Sequence, residues 1–151
     1  MTQDTSSPPS HTRDQSTINV TLALAAETTL GVAQYDATGG TWQGNYEESG
    51  AGCQYSGSGS GSGVTGSVVY DWAGTDMNPK GWYSVNLAGV GFYEVSGSCD
   101  GYPQPTEGRG VTFGIRDQTS PTVEHLTGSR TITDPAHPGL TTVITWDLAG
   151  S

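Results

Sequence analysis

From Ile18 to Leu24 the apolar side chains alternate. Ile18, Val20, Leu22 and Leu24 fall on one side, and Asn19, Thr21 and Ala23 on the other. Successive side chains of an extended backbone point to opposite faces, so this spacing makes a strand with one buried face. The same pattern recurs along the chain. Strand-like runs are read at 17–26, 29–36, 41–48, 52–57, 64–72, 81–87, 89–96, 110–117, 123–133 and 140–149. The breaks between them are rich in Gly, Asp, Asn, Pro and Ser, which punctuate short strands. No window sustains a capped 3.6-residue apolar repeat, and the Thr and Val around "TLALAAETTL" favour extended chain. The expectation is an all-β fold, a single small antiparallel β-barrel or β-sandwich.

Residues 1–17, "MTQDTSSPPSHTRDQST", carry no apolar periodicity and are expected to form a flexible polar arm. Such an arm could swap between copies and make a homo-oligomer. The β domain is then expected over 18–151. Within it lies "QYSGSGSGSGVTG", residues 54–66. Splitting the chain there would leave roughly 37 ordered residues on the N-terminal side, too few to fold alone without metals or several disulfides. The tract therefore belongs inside one domain, as a Gly/Ser-rich loop at 56–63. The alternative is a thin edge strand, because Ser and Gly alternate with a period of two. Glycine weakens strands, which favours the loop.

The chain is 151 residues long with 23 glycines, so its core must be thin and built on its four Trp and seven Tyr. Cys53 and Cys99 sit beside turn residues at the ends of predicted strands. A bond between them would close a loop of roughly 47 residues, for which chain entropy gives about 4 kcal/mol. A disulfide is expected, and with it an oxidising, extracellular setting. Fifteen acidic residues against five basic ones give a net charge of -10. Nucleic-acid binding needs clustered Lys or Arg, and Arg13, Arg109, Arg116 and Arg130 are scattered, with Lys80 the only lysine. No run approaches the ~20 apolar residues of a membrane span. "INVTLALAA", interrupted by Asn19 and Thr21, reads as strand and not as a signal sequence. Asn19-Val20-Thr21 fits a glycosylation acceptor.

Several residues could carry chemistry. In "GWYSVNLAGVGFYEVSG", Tyr83, Val85 and Leu87 share a face, and Val90, Phe92 and Glu94 share another. The parity changes across Ala88-Gly89, where a bulge or tight turn is expected. If Val90 and Phe92 point inward, so does Glu94, a carboxylate placed as general acid or base. The alternative is that Tyr93 and Val95 face the core and Glu94 faces water. "DWAGTDMNPKG" sets Asp76, Asn78 and Gly81 at spacings that echo a calcium loop, but Lys80 stands where an oxygen ligand is wanted and no glutamate follows. It reads as a polar connection. His125, Asp134 and His137 would need bringing together to form a metal or acid/base site; His125 shares the parity of Val123 and is expected to be partly buried. No metal or cofactor is expected. Trp146 shares a face with Ile144 and Leu148 and reads as core. Trp42, Trp72, Trp82 and Tyr83 are the candidate ligand-binding aromatics, since rings near strand ends can line a mouth or stack on sugars.

Three functions fit these features. The favoured one is a non-catalytic binding or surface module presenting loops and aromatics to a glycan, a small molecule or a protein. The second is a cofactor-independent β-barrel isomerase or cyclase, with Glu94 acting on an apolar substrate in an enclosed cavity. The third is a structural subunit of a virion or surface assembly.

Overall fold

The computed structural model describes residues 1–7, 11–74, 79–133 and 141–149. Twelve strands and no helix occur among them: β1 Thr2–Ser7, β2 His11–Glu27, β3 Val32–Gly50, β4 Cys53–Ser62, β5 Val64–Asp71, β6 Trp82–Gly89, β7 Tyr93–Cys99, β8 Tyr102–Pro103, β9 Glu107–Arg109, β10 Thr112–Thr119, β11 His125–Thr133 and β12 Thr141–Ala149. All pairings are antiparallel, and the principal strand order is β10-β6-β5-β3-β2-β1-β12-β11. The sheet is not closed into a barrel, because β10 and β11 terminate this path.

The sheet forks at β3. Its first residues, Val32–Asp36, pair with β5, while Thr41–Gly50 pair with β4. Gly39 and Gly40 lie at the fork, where a side chain on Gly40 would strike the Asn19 carbonyl and Val64. Beyond the fork β4 passes to β7, whose two parts take different partners within seven residues. Its Ser96–Cys99 end pairs with β4, and its Tyr93–Val95 end pairs with β9. Cys53 and Cys99 stand opposite each other in register and are joined as a disulfide.

Two expectations about local structure are corrected. Residues 2–7 and 11–17 are strand and not free arm: β1 lies between β2 and β12, pairing Thr2 with both Thr17 and Thr145. Polar sequence did not prevent pairing, because ladder hydrogen bonds come from the backbone. The Gly-Ser tract is strand as well, with alternating exposure from Cys53 to Ser62. Ser56, Ser58, Ser60 and Ser62 face out, and Gly57, Gly59 and Gly61 face in.

The inward glycines are explained by what covers them. Tyr93 lies over Gly44 and Gly59, and a Cβ on Gly61 would come within 2.7 Å of the Trp42 indole. Gly57 is covered by Val95, and Gly128 of β11 by Trp146. Glycine gives the rings a flat floor, so large aromatics fill an interior that could not also hold side chains from beneath. The buried cluster draws on strands before and after the tract, from Ile18, Trp42 and Tyr46 to Tyr83, Phe113 and Trp146. The polar tips are paired. Trp146 Nε1 donates to the Tyr83 hydroxyl at 2.8 Å, Trp42 Nε1 to the Val90 carbonyl at 3.0 Å, and the Tyr70 hydroxyl to the Ser120 carbonyl at 3.0 Å. Among the described residues no buried side-chain nitrogen or oxygen lacks a partner, as a core rich in Trp and Tyr requires.

Candidate ligand groove

The sequence-derived candidates do not converge. Trp42 and Tyr83 are core, 3% and 1% exposed, so neither ring has a face to offer a ligand. Trp72 and Trp82 are half-buried near the β5–β6 connection, where Asp71 pairs with Trp82. Inward parity continues from Tyr83, Val85 and Leu87 to Tyr93 and Val95, leaving Val90 and Phe92 exposed. Glu94 therefore stands in solvent on the outward face, and the inward arrangement required for acid-base work in a cavity is not formed. The reason is the turn at 90–92, which takes Val90 and Phe92 out of the ladder and restores the parity of Leu87 at Tyr93.

His125 is exposed and sits 2.6 Å from the Asp147 carboxylate, a surface pair of small energetic consequence. Asp134 and His137 lie outside the described residues, as do Asp76 and Asn78 of the calcium-like stretch. Lys80 is exposed and Gly81 buried. Among the described residues no group of three His, Cys, Asp or Glu side chains is placed to hold a metal. Among the described residues no helix is long and apolar enough to cross a membrane.

What the strands do bring together is a groove of ≈ 1020 Å³ at one end of the sheet. Its lining is ordered by the register. His11 of β2 stands opposite Ser49 of β3, Ser49 opposite Gln54 of β4, Gln54 opposite Ser98 of β7, and Ser98 opposite Pro103 of β8. Two residues along, Arg13, Glu47, Ser56 and Ser96 form a second row across β2, β3, β4 and β7. Directly opposed residues share a face, neighbouring strands are about 4.8 Å apart, and residues two apart on a strand are separated by about 6.7 Å. The longer row thus spans roughly 19 Å. Gln104 and Thr106, from the connection after β8, also line the groove.

The floor is held from below. On the inward face of β2 and β3, Asp14 stands opposite Tyr46. Arg109 of β9 reaches in, with its guanidinium 3.5 Å from the Tyr46 ring centroid and Nη1 3.3 Å from Asp14 Oδ2. The Tyr46 hydroxyl donates to the Glu48 carboxylate. Burial pushes the Asp14 carboxyl up, against the opposing pull of the Arg109 charge. Burial, then the bond to Glu48, pushes the Tyr46 phenol up to about 12. The disulfide lies next to the first row, since Gln54 follows Cys53 and Ser98 precedes Cys99. Cross-link and ion pair together brace the strands that carry the groove.

None of the groove residues was singled out from the sequence. The signal was present in "SGSGSGS" and "YEVSGSC", where alternation sends Ser56, Ser96 and Ser98 to one face. Reading the tract as loop concealed it. Compared with known proteins, the chain matches no family model, no curated protein and no solved structure.

Proposed function

We propose that this protein is a non-catalytic binding module whose site is the outward groove on β2, β3, β4 and β7. The single observation that carries the reading is the pair of polar rows standing in register across the strands of one rigid, cross-linked sheet. Sites built on strands hold their side chains more firmly than sites on loops. The groove is at the upper end of the volume range of small-molecule sites. Its rows supply hydrogen-bond donors and acceptors at regular intervals, which fits retention of a ligand. The disulfide is compatible with an extracellular setting.

The test is a thermal-shift screen of the full chain against a mixed library of oligosaccharides, small metabolites and peptides. A ligand at 100 times its Kd stabilises by about 2.7 kcal/mol. Hits should disappear in Ser98→Trp, which fills the groove from an outward position, while the unliganded melting temperature stays in place. Hits that survive this substitution would remove the groove from consideration.

A further inference from the structure

Resting on the groove as the binding site, we infer that its ligand is a neutral, extended polysaccharide lying across the strands, one sugar ring per strand. The first observation is charge. The groove lining carries one formal positive charge, on Arg13, which stands opposite Glu47, and a second carboxylate, Glu48, which is engaged by the Tyr46 hydroxyl. In a chain of net charge -10, that leaves no field to hold a polyanion and no acidic pocket for a cation.

The second observation is the chemistry of the remaining side chains. Ser49, Ser56, Ser96 and Ser98 carry hydroxyls and Gln54 an amide, groups that both donate and accept. Sugar hydroxyls do the same, so each contact can form in either sense. Tyr55 also lines the groove, half-buried with its hydroxyl against Cys99 Sγ, and no large aliphatic side chain stands beside it there to anchor a peptide.

The third observation is that the pattern continues beyond the groove. Ser129, Thr145, Thr2, Thr17, Gln43 and Ser60 stand in register across six neighbouring strands, β11, β12, β1, β2, β3 and β4. None is ionisable or aromatic. A comb of hydroxyl and amide groups therefore repeats at the strand spacing of about 4.8 Å. An extended β-linked glycan advances by nearly the same interval per ring. A rod laid across the strands meets a matching row of partners at each step.

The experiment is affinity electrophoresis and calorimetry of the full chain with mixed-linkage β-glucan, xylan and galactomannan. Alginate serves as the polyanion and gelatin as the polypeptide comparator. At least one neutral polysaccharide should bind, with an affinity unchanged between 0.05 M and 0.5 M salt, where screening removes charge-driven binding. Gln54→Ala should weaken it severalfold and Ser56→Trp or Ser96→Trp at least tenfold, while Thr65→Trp on β5, outside the groove, leaves it unchanged. Failure of all neutral polysaccharides overturns the inference. Binding only to alginate or gelatin, lost in Ser56→Trp, also overturns it but leaves the groove standing as the site. Neutral-glycan binding that ignores Gln54→Ala, Ser56→Trp and Ser96→Trp alike overturns the groove itself.

Discussion

Tyr46 shows how much one side chain does in a thin interior. Its ring is buried, its face carries the Arg109 guanidinium, and its hydroxyl donates to Glu48. A cation over an aromatic face contributes about 0.5–2 kcal/mol. A hydrogen bond to a charged acceptor contributes about 1.5–3 kcal/mol. The consequence is a dependence on alkaline pH with a definite sign. The phenol ordinarily titrates at 10.0, but in the folded protein it is raised to about 12. Below pH 10 both states hold the proton and its contribution to stability is complete. Between pH 10 and about 12 the unfolded chain ionises while the folded chain resists, so stability falls as pH rises. Burial also raises Tyr70, Tyr83 and Tyr93, which act in the same direction. Urea midpoints should decline steadily from pH 10 to 12. Tyr46→Phe keeps the ring under Arg109 but has no phenol to titrate, so its decline should be shallower. Parallel pH profiles would mean that Tyr46 ionises freely in the native state.

At the scale of elements, β4 is the most instructive strand, because its two faces obey opposite rules. Ser58 and Ser60 face water, where substitution usually changes stability by no more than about 0.5 kcal/mol. Gly57, Gly59 and Gly61 lie under Val95, Tyr93 and Trp42. A side chain at Gly59 would drive into Tyr93, and such overpacking costs about 1–3 kcal/mol. Gly59→Val is therefore expected to lower the melting temperature by several degrees, and Ser58→Val or Ser60→Val to leave it nearly unchanged or slightly raised. Paired thermal melts of the three variants check this, and equal effects on both faces would show that the rings do not rest on the glycines. The contrast also explains what the sequence hid. Alternation of Ile18, Val20 and Leu22 was legible because hydrophobicity marked the buried face, whereas Leu24, which shares their parity, lies between two register shifts of β2 against β3 and is 54% exposed. In β4 the buried face is marked by glycine, whose role appears only when Tyr93 and Trp42 are seen above it. β1 was illegible for a related reason: "TQDTSS" pairs through its backbone, and nothing apolar announces it. The same blindness covered the groove, whose rows become visible only when His11, Ser49, Gln54 and Ser98 are set side by side by long-range register. For Glu94 the reading that holds is the one in which Tyr93 and Val95 face the core and Glu94 faces water. The inward alternative rested on a parity change across Ala88-Gly89 that would bury Val90 and Phe92, but the turn at 90–92 sets these two outside the ladder and the parity of Leu87 resumes at Tyr93.

For the whole molecule, the controlling feature is the fork at β3 and the device that closes its second branch. The β5–β6–β10 branch is secured by a run of fully covered residues, among them Val68, Tyr83, Val85, Leu87 and Ile115. The β4–β7–β9 branch has fewer such residues and a glycine-rich strand at its centre, so more of its stability must come from the covalent link. Cys53 and Cys99 are 46 residues apart. Cross-linking a loop of that length constrains the unfolded chain by about 4 kcal/mol. At roughly 2–4 °C per kcal/mol for a chain of this size, reduction should lower the melting temperature by about 8–16 °C. The loss should also be local before it is global. Amide exchange at Gln54–Ser56 and Ser96–Ser98 is expected to accelerate under reductant well below the transition, while Val85 and Leu87 on the other branch remain protected until global unfolding. Because those first amides belong to the rows of the groove, reduced protein should lose ligand binding at temperatures where the rest of the sheet is intact. A reduced protein that melts where the oxidised one does, with uniform protection across both branches, would place the strength of the second branch in its aromatic floor and not in its cross-link.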